Sequence, residues 1–337
     1  MKSVYYNNLG SNKRIYDTIF QCIEQRKKGF PNLGTQNITE IVSEVLNDHP
    51  EIFYVSPIIQ GIRSILGSYL ALNYIYSEEE IIRNRRLLEE ETKRIIRENI
   101  NEHQSDYDKV RVLHDYLKCN LEYDYIAASS SEIQKLEILE AHNIVGALLK
   151  KKCVCDGFAK AFKFLCDKID LECWVVVGTG NSSVESGPHA WNIVRINGYY
   201  HHVDVTWDNQ YADSSEIPNY GYLNLSDEEI SKDHIWLKKN YPQCPNSPYN
   251  YFRVNNALID SKAQLENMLY NNIQMEEEIV MFRIVRDSIL EKEINSCLSG
   301  CIISASERSK YVSVAEYRLS SIPEQLTFIL LFKYIYK

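Results

Sequence analysis

Three residues able to form a covalent acyl-transfer centre occur in the order Cys155, His189, Asp204. After Cys155, the residues Phe158, Ala161, Phe162, Leu165 and Ile169 repeat at helical spacing. The cysteine therefore sits near a helix N-terminus, where partial positive charge favours thiolate over thiol. A neighbouring imidazolium would favour it further. Taken alone, a cysteine beside a helix also reads as a small buried hydrophobe.

The strands downstream discriminate between these readings. Residues 189–196 and 199–207 read as strands flanking Asn197-Gly198, a strong hairpin signal. With those two residues as the loop, Ile196 faces Tyr199, Trp191 faces Asp204 and His189 faces Thr206. Alternate side chains share a face, so His189, Trp191, Asp204 and Thr206 lie together. His189 and Asp204 become diagonal neighbours, roughly 7–8 Å apart. A one-residue slip would separate them. A carboxylate beside an imidazole fixes its tautomer and stabilises its charged form. The imidazole then exchanges protons with a thiol and a leaving group. Alone, His189 would read as a structural histidine and Asp204 as a turn or sheet-edge carboxylate. Aspartate is disfavoured inside a strand, however, so its place between Val203 and Val205 calls for a specific partner.

The runs Cys155-Asp-Gly-Phe-Ala, His189-Ala-Trp-Asn and Val203-Asp-Val-Thr-Trp-Asp208 resemble the transglutaminase-like superfamily, in particular its bacterial-type members. Upstream, Asp108-Lys-Val-Arg-Val-Leu-His-Asp-Tyr-Leu117, Asn120-Leu-Glu-Tyr-Asp124 and Asn143-Ile-Val-Gly-Ala-Leu148 are similar to the segments that precede its core, and Asp48-His-Pro-Glu-Ile-Phe53 is similar to helical regions attached to some members. The resemblance covers residues 106–208 well and gives no match in the tail. It implies an α+β, papain-like core in which the helix carrying the cysteine packs on an antiparallel sheet. It also implies Cys155 as nucleophile, His189 as base and Asp204 as the orienting carboxylate. Trp191 is a candidate shield of the His–Asp pair, or plain core. One position departs from the family: where glycine usually precedes Val-Cys, this chain has Cys153. Glycine there permits a tight backbone approach.

The expected chemistry is attack of the Cys155 thiolate on an amide or peptide carbonyl, with hydrolysis or proteolysis preferred over amine transfer. The Cys155 backbone N–H would help hold the oxyanion, and the sequence does not place a second donor. The implied substrate is a protein or peptide, with no cofactor. A non-catalytic peptide-binding module on the same fold, and an arylamine-type acyltransferase requiring coenzyme A, are the alternatives. A redox pair of Cys153 and Cys155 is a further one. A metal site of Cys153, Cys155, Cys166 and Cys173 does not match zinc-ligand spacing. Cys297 and Cys301, one helical turn apart, read as core, and His202 as a surface residue or a neighbour of the triad.

The elements needed to position this chemistry are legible around it. The chain has 337 residues, 45% hydrophobic and 25% charged, enough for a sizeable core. Its net charge of -9 gives no basic nucleic-acid footprint. Nine cysteines without framework spacing fit free thiols and a cytoplasmic setting. Residues 1–20 lack an apolar signal core, and the apolar stretch 326–336 is too short for a membrane span. Helices are expected from Ser11 as cap, over 36–46, over 78–100 (Ile81, Ile82, Leu87, Leu88, Ile95, Ile96) and over 106–121. A short strand is expected at 52–55. In the tail, a strand at 279–285, a helix at 289–298 and strands at 311–319 and 325–336 are expected. The division expected is 1–104 helical, 105–245 catalytic core and 246–337 a small α+β unit.

Overall fold

The computed structural model describes residues 4–31, 37–64, 67–181, 186–210 and 217–337. The chain opens with helices α1 (Val4–Asn8), α2 (Lys13–Glu24) and α3 (Ile38–Asp48), with strand β1 (Gly29–Pro31) between the last two. Strands β2 (Gln60–Ser64) and β3 (Gly67–Ala71) complete a small antiparallel sheet ordered β1-β3-β2. Helix α2 is capped by Asn12 without a side-chain bond; the expected cap, Ser11, lies in a preceding 3-10 turn and its side chain is outside the described residues. Residue 36, the expected start of the next helix, is also outside them. Residues 52–55 form no strand; Val55 makes an isolated bridge to Tyr74.

Helix α4 (Glu78–Asn99) starts from a full capping box between Ser77 and Glu80. Its buried stripe is Ile81, Asn84, Leu88, Thr92 and Ile95, while Ile82 and Leu87 are exposed. Charged neighbours at Arg83, Arg86 and Glu90 take those two residues' face into solvent. Helix α5 (Asp106–Asn120) is capped by Ser105. Strand β4 (Glu122–Tyr123), short helices α6 (Tyr125–Ser129) and α7 (Leu136–Ala141), a π-helical turn at Val145–Leu149 and strand β5 (Lys152–Cys153) lead to helix α8 (Cys155–Asp167). One hydrophobic cluster runs without a break from Tyr16, Ile41 and Val45 through Ile81, Leu88 and Ile95 to Leu113, Leu117, Phe158, Phe162 and Leu165. The N-terminal helices and α8 therefore share a core.

Strands β6 (Cys173–Asn181), β7 (Ser186–Ile196), β8 (Tyr199–Val203), β9 (Leu223–Leu225) and β10 (His234–Trp236) form an antiparallel sheet ordered β10-β6-β7-β8-β9. The β7–β8 hairpin pairs Ile196 with Tyr199 and continues in register to Asn192 with Val203. Asn197 (φ 48°) and Gly198 (φ 90°) are both left-handed, the conformation a two-residue turn of this twist requires.

The strand expected over 199–207 stops at Val203. Its successor is helix α9 (Val205–Gln210), so Trp191 with Asp204 and His189 with Thr206 are not ladder pairs. Asp204 causes the change. Its Oδ1 accepts the Trp207 N–H at 3.1 Å, the geometry of an N-cap, and aspartate favours caps over strand interiors.

Asn192 joins the sheet to α8, the helix of Cys155. Its amide donates from β7 to the Ala159 carbonyl in α8 (2.9 Å) and to the Trp174 carbonyl in β6 (3.1 Å), fully buried.

Beyond the sheet come helices α10 (Asp227–Ile230) and α11 (Tyr251–Val254), strand β11 (Leu258–Ile259), α12 (Lys262–Gln274), β12 (Ile279–Ile284), α13 (Ile289–Arg308), β13 (Val312–Ile322) and β14 (Thr327–Tyr336). The last sheet is ordered β11-β12-β14-β13 and has its own apolar cluster, including Leu265, Leu269, Phe282, Leu298 and Leu330. Helix α13 runs ten residues past its expected end. Cys301, Ile302 and Ala305 extend the buried stripe of Leu290, Ile294 and Leu298 through Gly300. Arg283 of β12 is buried against the core: it donates to the Gly221 carbonyl and to Thr327 Oγ1. No helix among the described residues is long and apolar enough to cross a membrane.

Replacing Asn192 with alanine would leave two buried carbonyls short of a donor. The variant is expected to lose about 1–3 kcal/mol of stability in urea unfolding. An unchanged midpoint would show that Asn192 does not brace α8 on the sheet.

Candidate active site

Cys155 is the first residue of α8 and is partly exposed. Val154 caps the helix without a side-chain bond, so no side-chain acceptor there competes for the first helical N–H groups. The thiol packs beside Ala159, Val175 and Ala190. Cys153 is fully buried, and burial pushes its thiol well above the ordinary value. Its side chain fills the space beside Gly157, where a Cβ would lie 2.6 Å from Cys153 Cβ and 2.5 Å from the Ala141 carbonyl oxygen. Cys153 itself has no left-handed φ, so the backbone at this position does not depend on glycine. Of the two thiols, Cys155 is the one open to a substrate.

Asp156 follows Cys155 and would oppose a thiolate there, but it is compensated. Burial alone would raise its carboxyl, yet Lys160 (3.3 Å) and His142 (2.8 Å) hold it down at about 2.

His189 on β7 is buried. Its Nε2 lies 2.6 Å from Asp204 Oδ2. A carboxylate can only accept, so Nε2 carries the proton of that bond. The imidazole also contacts the Cys155 side chain. With Nε2 engaged, Nδ1 is the ring nitrogen left for that contact. Burial disfavours charge on His189, but the Asp204 charge and hydrogen bond, with the Cys155 contact, outweigh it and lift the histidine to about 9. Burial likewise works against the Asp204 carboxylate, and His189 and His234 overcome it, keeping Asp204 below the usual carboxylate range.

The three candidates from the sequence are thus brought together, and so is Trp191. Its ring is stacked on His189 at 5.9 Å, and Trp207 lies closer at 5.1 Å. Gly180 makes room for Trp207; a Cβ there would lie 2.5 Å from the indole.

His202 is not at the surface. It is fully buried and accepts the Trp191 indole N–H on Nδ1 (3.0 Å). Its Nε2 therefore keeps the proton and donates to Asp227 (2.9 Å). Burial holds His202 below its ordinary value, and the ring is neutral.

Sequence reasoning missed two features. His234 in β10 is a second histidine on Asp204 Oδ2, at 3.1 Å. His114 of α5 sits 3.0 Å from Asp208 Oδ2, and its other nitrogen 3.1 Å from Asp115. The two aspartates of the Asp204-Val-Thr-Trp-Asp208 run thus hold different histidines. Only the His114-Asp115 and Asp208 motifs hinted at the second array. No local pattern around Lys232-Asp233-His234 marked the first.

Among the described residues, two groups of side chains could be considered for a metal: His189, Asp204 and His234, and His202, Asp227 and Cys244. In the first, direct hydrogen bonds of 2.6 and 3.1 Å occupy the space an ion would need, about 2.0–2.2 Å from each ligand. In the second, the indole bond places the proton on the nitrogen facing Asp227, and burial raises the Cys244 thiol. Both are built as hydrogen-bonded arrays. Cys166 lies three helical turns beyond Cys155, roughly 16 Å along α8, and interacts with Cys173 at the start of β6. They do not form one site with it.

Residues 93–205 match the core model of the Transglutaminase-like superfamily. The matched segment runs from within α4 to the start of α9, and the fold around it is α+β. Among curated proteins the chain is similar to the kyphoscoliosis peptidase of Mus musculus, 30% identical over 52% of this chain, and to that of Homo sapiens, 29% identical over 44%. It spans about a quarter of their lengths, 26% and 23%. A solved structure of a TGase overlaps 52% of this chain and 49% of its own, at 18% identity and a TM-score of 0.32.

The raised histidines give a pH dependence of stability. His114 is lifted to about 9: burial opposes its charge, and Asp115 and Asp208 outweigh that. His189 reaches about 9 as well. A histidine raised above its unfolded value of about 6.5 contributes stability that is complete below that pH and lost as pH rises through the folded value. The melting temperature is therefore expected to fall between pH 7 and 10. His114→Asn should flatten part of that fall, and parallel curves for variant and wild type would sink the assignment to His114.

Proposed function

We propose that this chain is a cysteine-dependent acyl-transfer enzyme that cleaves amide or peptide bonds through a thioester on Cys155, with water preferred over an amine as the final acceptor. The Cys155 thiolate attacks the carbonyl carbon. The oxyanion is received by N–H groups at the start of α8, the Cys155 N–H among them. His189, protonated on Nδ1, gives that proton to the leaving amine as the C–N bond breaks. Water then attacks the thioester and passes a proton to Nδ1. The acid is released and the Cys155–His189 pair is restored. Asp204 keeps the imidazole oriented throughout and stabilises its charged form whenever Nδ1 carries a proton.

The observation that carries this reading is the division of the imidazole. One nitrogen is bound to a buried carboxylate at 2.6 Å, and the ring also contacts a partly exposed thiol at a helix N-terminus. The peptidase name of the similar mouse and human proteins supports cleavage over crosslinking. A protein or peptide is the substrate class this chemistry takes.

Iodoacetamide labelling followed by peptide mass spectrometry should show Cys155 reacting selectively at mildly acidic pH, with that reactivity lost in His189→Ala. In peptide libraries, Cys155→Ala should abolish turnover and Asp204→Asn should lower it on the order of 10³–10⁴-fold. Amine-modified glutamine without cleavage would replace the hydrolytic reading with transfer. Labelling of Cys155 no faster than the other exposed thiols would leave a peptide-binding module.

A further inference from the structure

Each nitrogen of the His234 ring faces a carboxylate oxygen, Nε2 at 3.1 Å from Asp204 Oδ2 and Nδ1 at 2.6 Å from Asp233 Oδ1. Carboxylates accept and do not donate, so both nitrogens carry protons and the ring is an imidazolium. It is fully buried beside Trp191, Trp207 and Tyr222, with ring centroids 4.7, 4.2 and 5.7 Å away. The second oxygen of Asp233 accepts the Tyr222 hydroxyl at 2.8 Å and the Gln325 amide at 3.0 Å. Gln325 belongs to the turn between β13 and β14, so the C-terminal unit closes the array.

We propose that His234 is a positioning residue for the reaction at Cys155, a fixed positive charge that Asp233 and Gln325 hold in place, pinning the Asp204 carboxylate and offsetting part of its pull on the His189 proton. The inference rests on the reading of Cys155, His189 and Asp204 as the reacting triad. Asp204 Oδ2 receives two N–H bonds, one from each histidine, and Oδ1 receives the Trp207 N–H, which leaves the carboxylate no freedom to rotate.

His234 also lies 5.3 Å from His189, ring to ring, a distance at which like charges disfavour one another. The other charged or titratable groups around it are His202 on β8, the Tyr222 hydroxyl, and the buried Arg283 with Glu229 behind Asp233. Of these, His202 is neutral and Arg283 is bound to the Gly221 carbonyl and Thr327. His234 is thus a second cation on the same Asp204 oxygen that holds His189. The consequence is chemical. A histidine held too firmly in its charged form is a poorer proton donor to the leaving amine, and if it stays protonated in the thioester it cannot take a proton from water. Hydrolysis of the thioester needs the second step.

The test compares the pH profile of Cys155 alkylation in wild type, His234→Gln and Asp233→Asn, with peptide turnover measured alongside. The glutamine variant keeps a donor toward Asp204 without the charge. The Asp233→Asn variant removes the negative charge that holds His234 protonated. Each single variant is expected to move the limb that reports loss of the His189 proton upward by about one pH unit or more and to lower kcat more than it raises KM. The double variant should shift no further than the singles. If wild type shows the acidic shoulder and both variants overlay it, the proposal is overturned and the triad stands. If wild type shows no shoulder, the triad reading fails and this inference falls with it. Should the variants not fold, ¹⁵N-histidine spectra of the wild type decide: both His234 nitrogens protonated at pH 8 is the expected result, and a neutral tautomer overturns it.

Discussion

The Asp204 carboxylate is buried with no exposed surface, and a bare charge in that position would cost several kcal/mol. The arrangement around it compensates that charge from three sides. His189 comes from β7, His234 from β10, and the Trp207 N–H from the helix that Asp204 itself caps. No two of these donors lie on the same element. Satisfying one carboxylate therefore fixes the middle of the sheet, its edge strand and the first turn of α9 relative to one another. The acidity of the group and the folding of the site are the same fact seen at two scales.

A second constraint sets where Cys155 stands. Cys155 is carried by α8, whose inner face shares its apolar cluster with the N-terminal helices. Against the sheet, α8 is braced by Asn192, three residues beyond His189 on the same strand. The distance between thiol and imidazole thus depends on a hydrogen bond that starts on the strand of His189 and ends on the helix of Cys155. Asp208 extends this logic. It stands one helical turn after Asp204, and its bond to His114 ties α5 beneath the same helix. Two aspartates at that spacing project from one side of α9 and join two layers.

The local parts of this site were legible in the sequence because they follow from short-range rules. The Asn197-Gly198 turn fixed the hairpin register down to Asn192 and Val203. The apolar spacing after Cys155 marked α8. The unease of an aspartate between two valines was also sound, but its resolution was a helix cap instead of a strand pair. A carboxylate serving as cap on one oxygen and as histidine partner on the other satisfies both preferences, and alternation alone does not distinguish that from a longer strand. Ile82 and Leu87 show a similar limit. A helix rich in apolar residues does not say which of them the partner surface covers. His234, Asp233 and Gln325 were out of reach for another reason. They come from a three-residue edge strand and a distant turn, where no periodic pattern exists to place them.

The tail matters most through that last contact. Its sheet has a separate apolar cluster, which by itself suits an appendage. Yet Arg283 is buried against the Gly221 carbonyl, Ile322 packs with Trp191 and Trp207, and Gln325 holds Asp233. These contacts supply polar partners to groups that would otherwise be buried without them, and such groups cost more when left unpaired than their bonds contribute when made. The wall behind the His–Asp pair is consequently assembled from both ends of the chain's second half. Loss of the tail would expose Asp233 and loosen the tryptophan layer before it disturbed the thiol itself, since Cys155 draws its support from α8 and the N-terminal core.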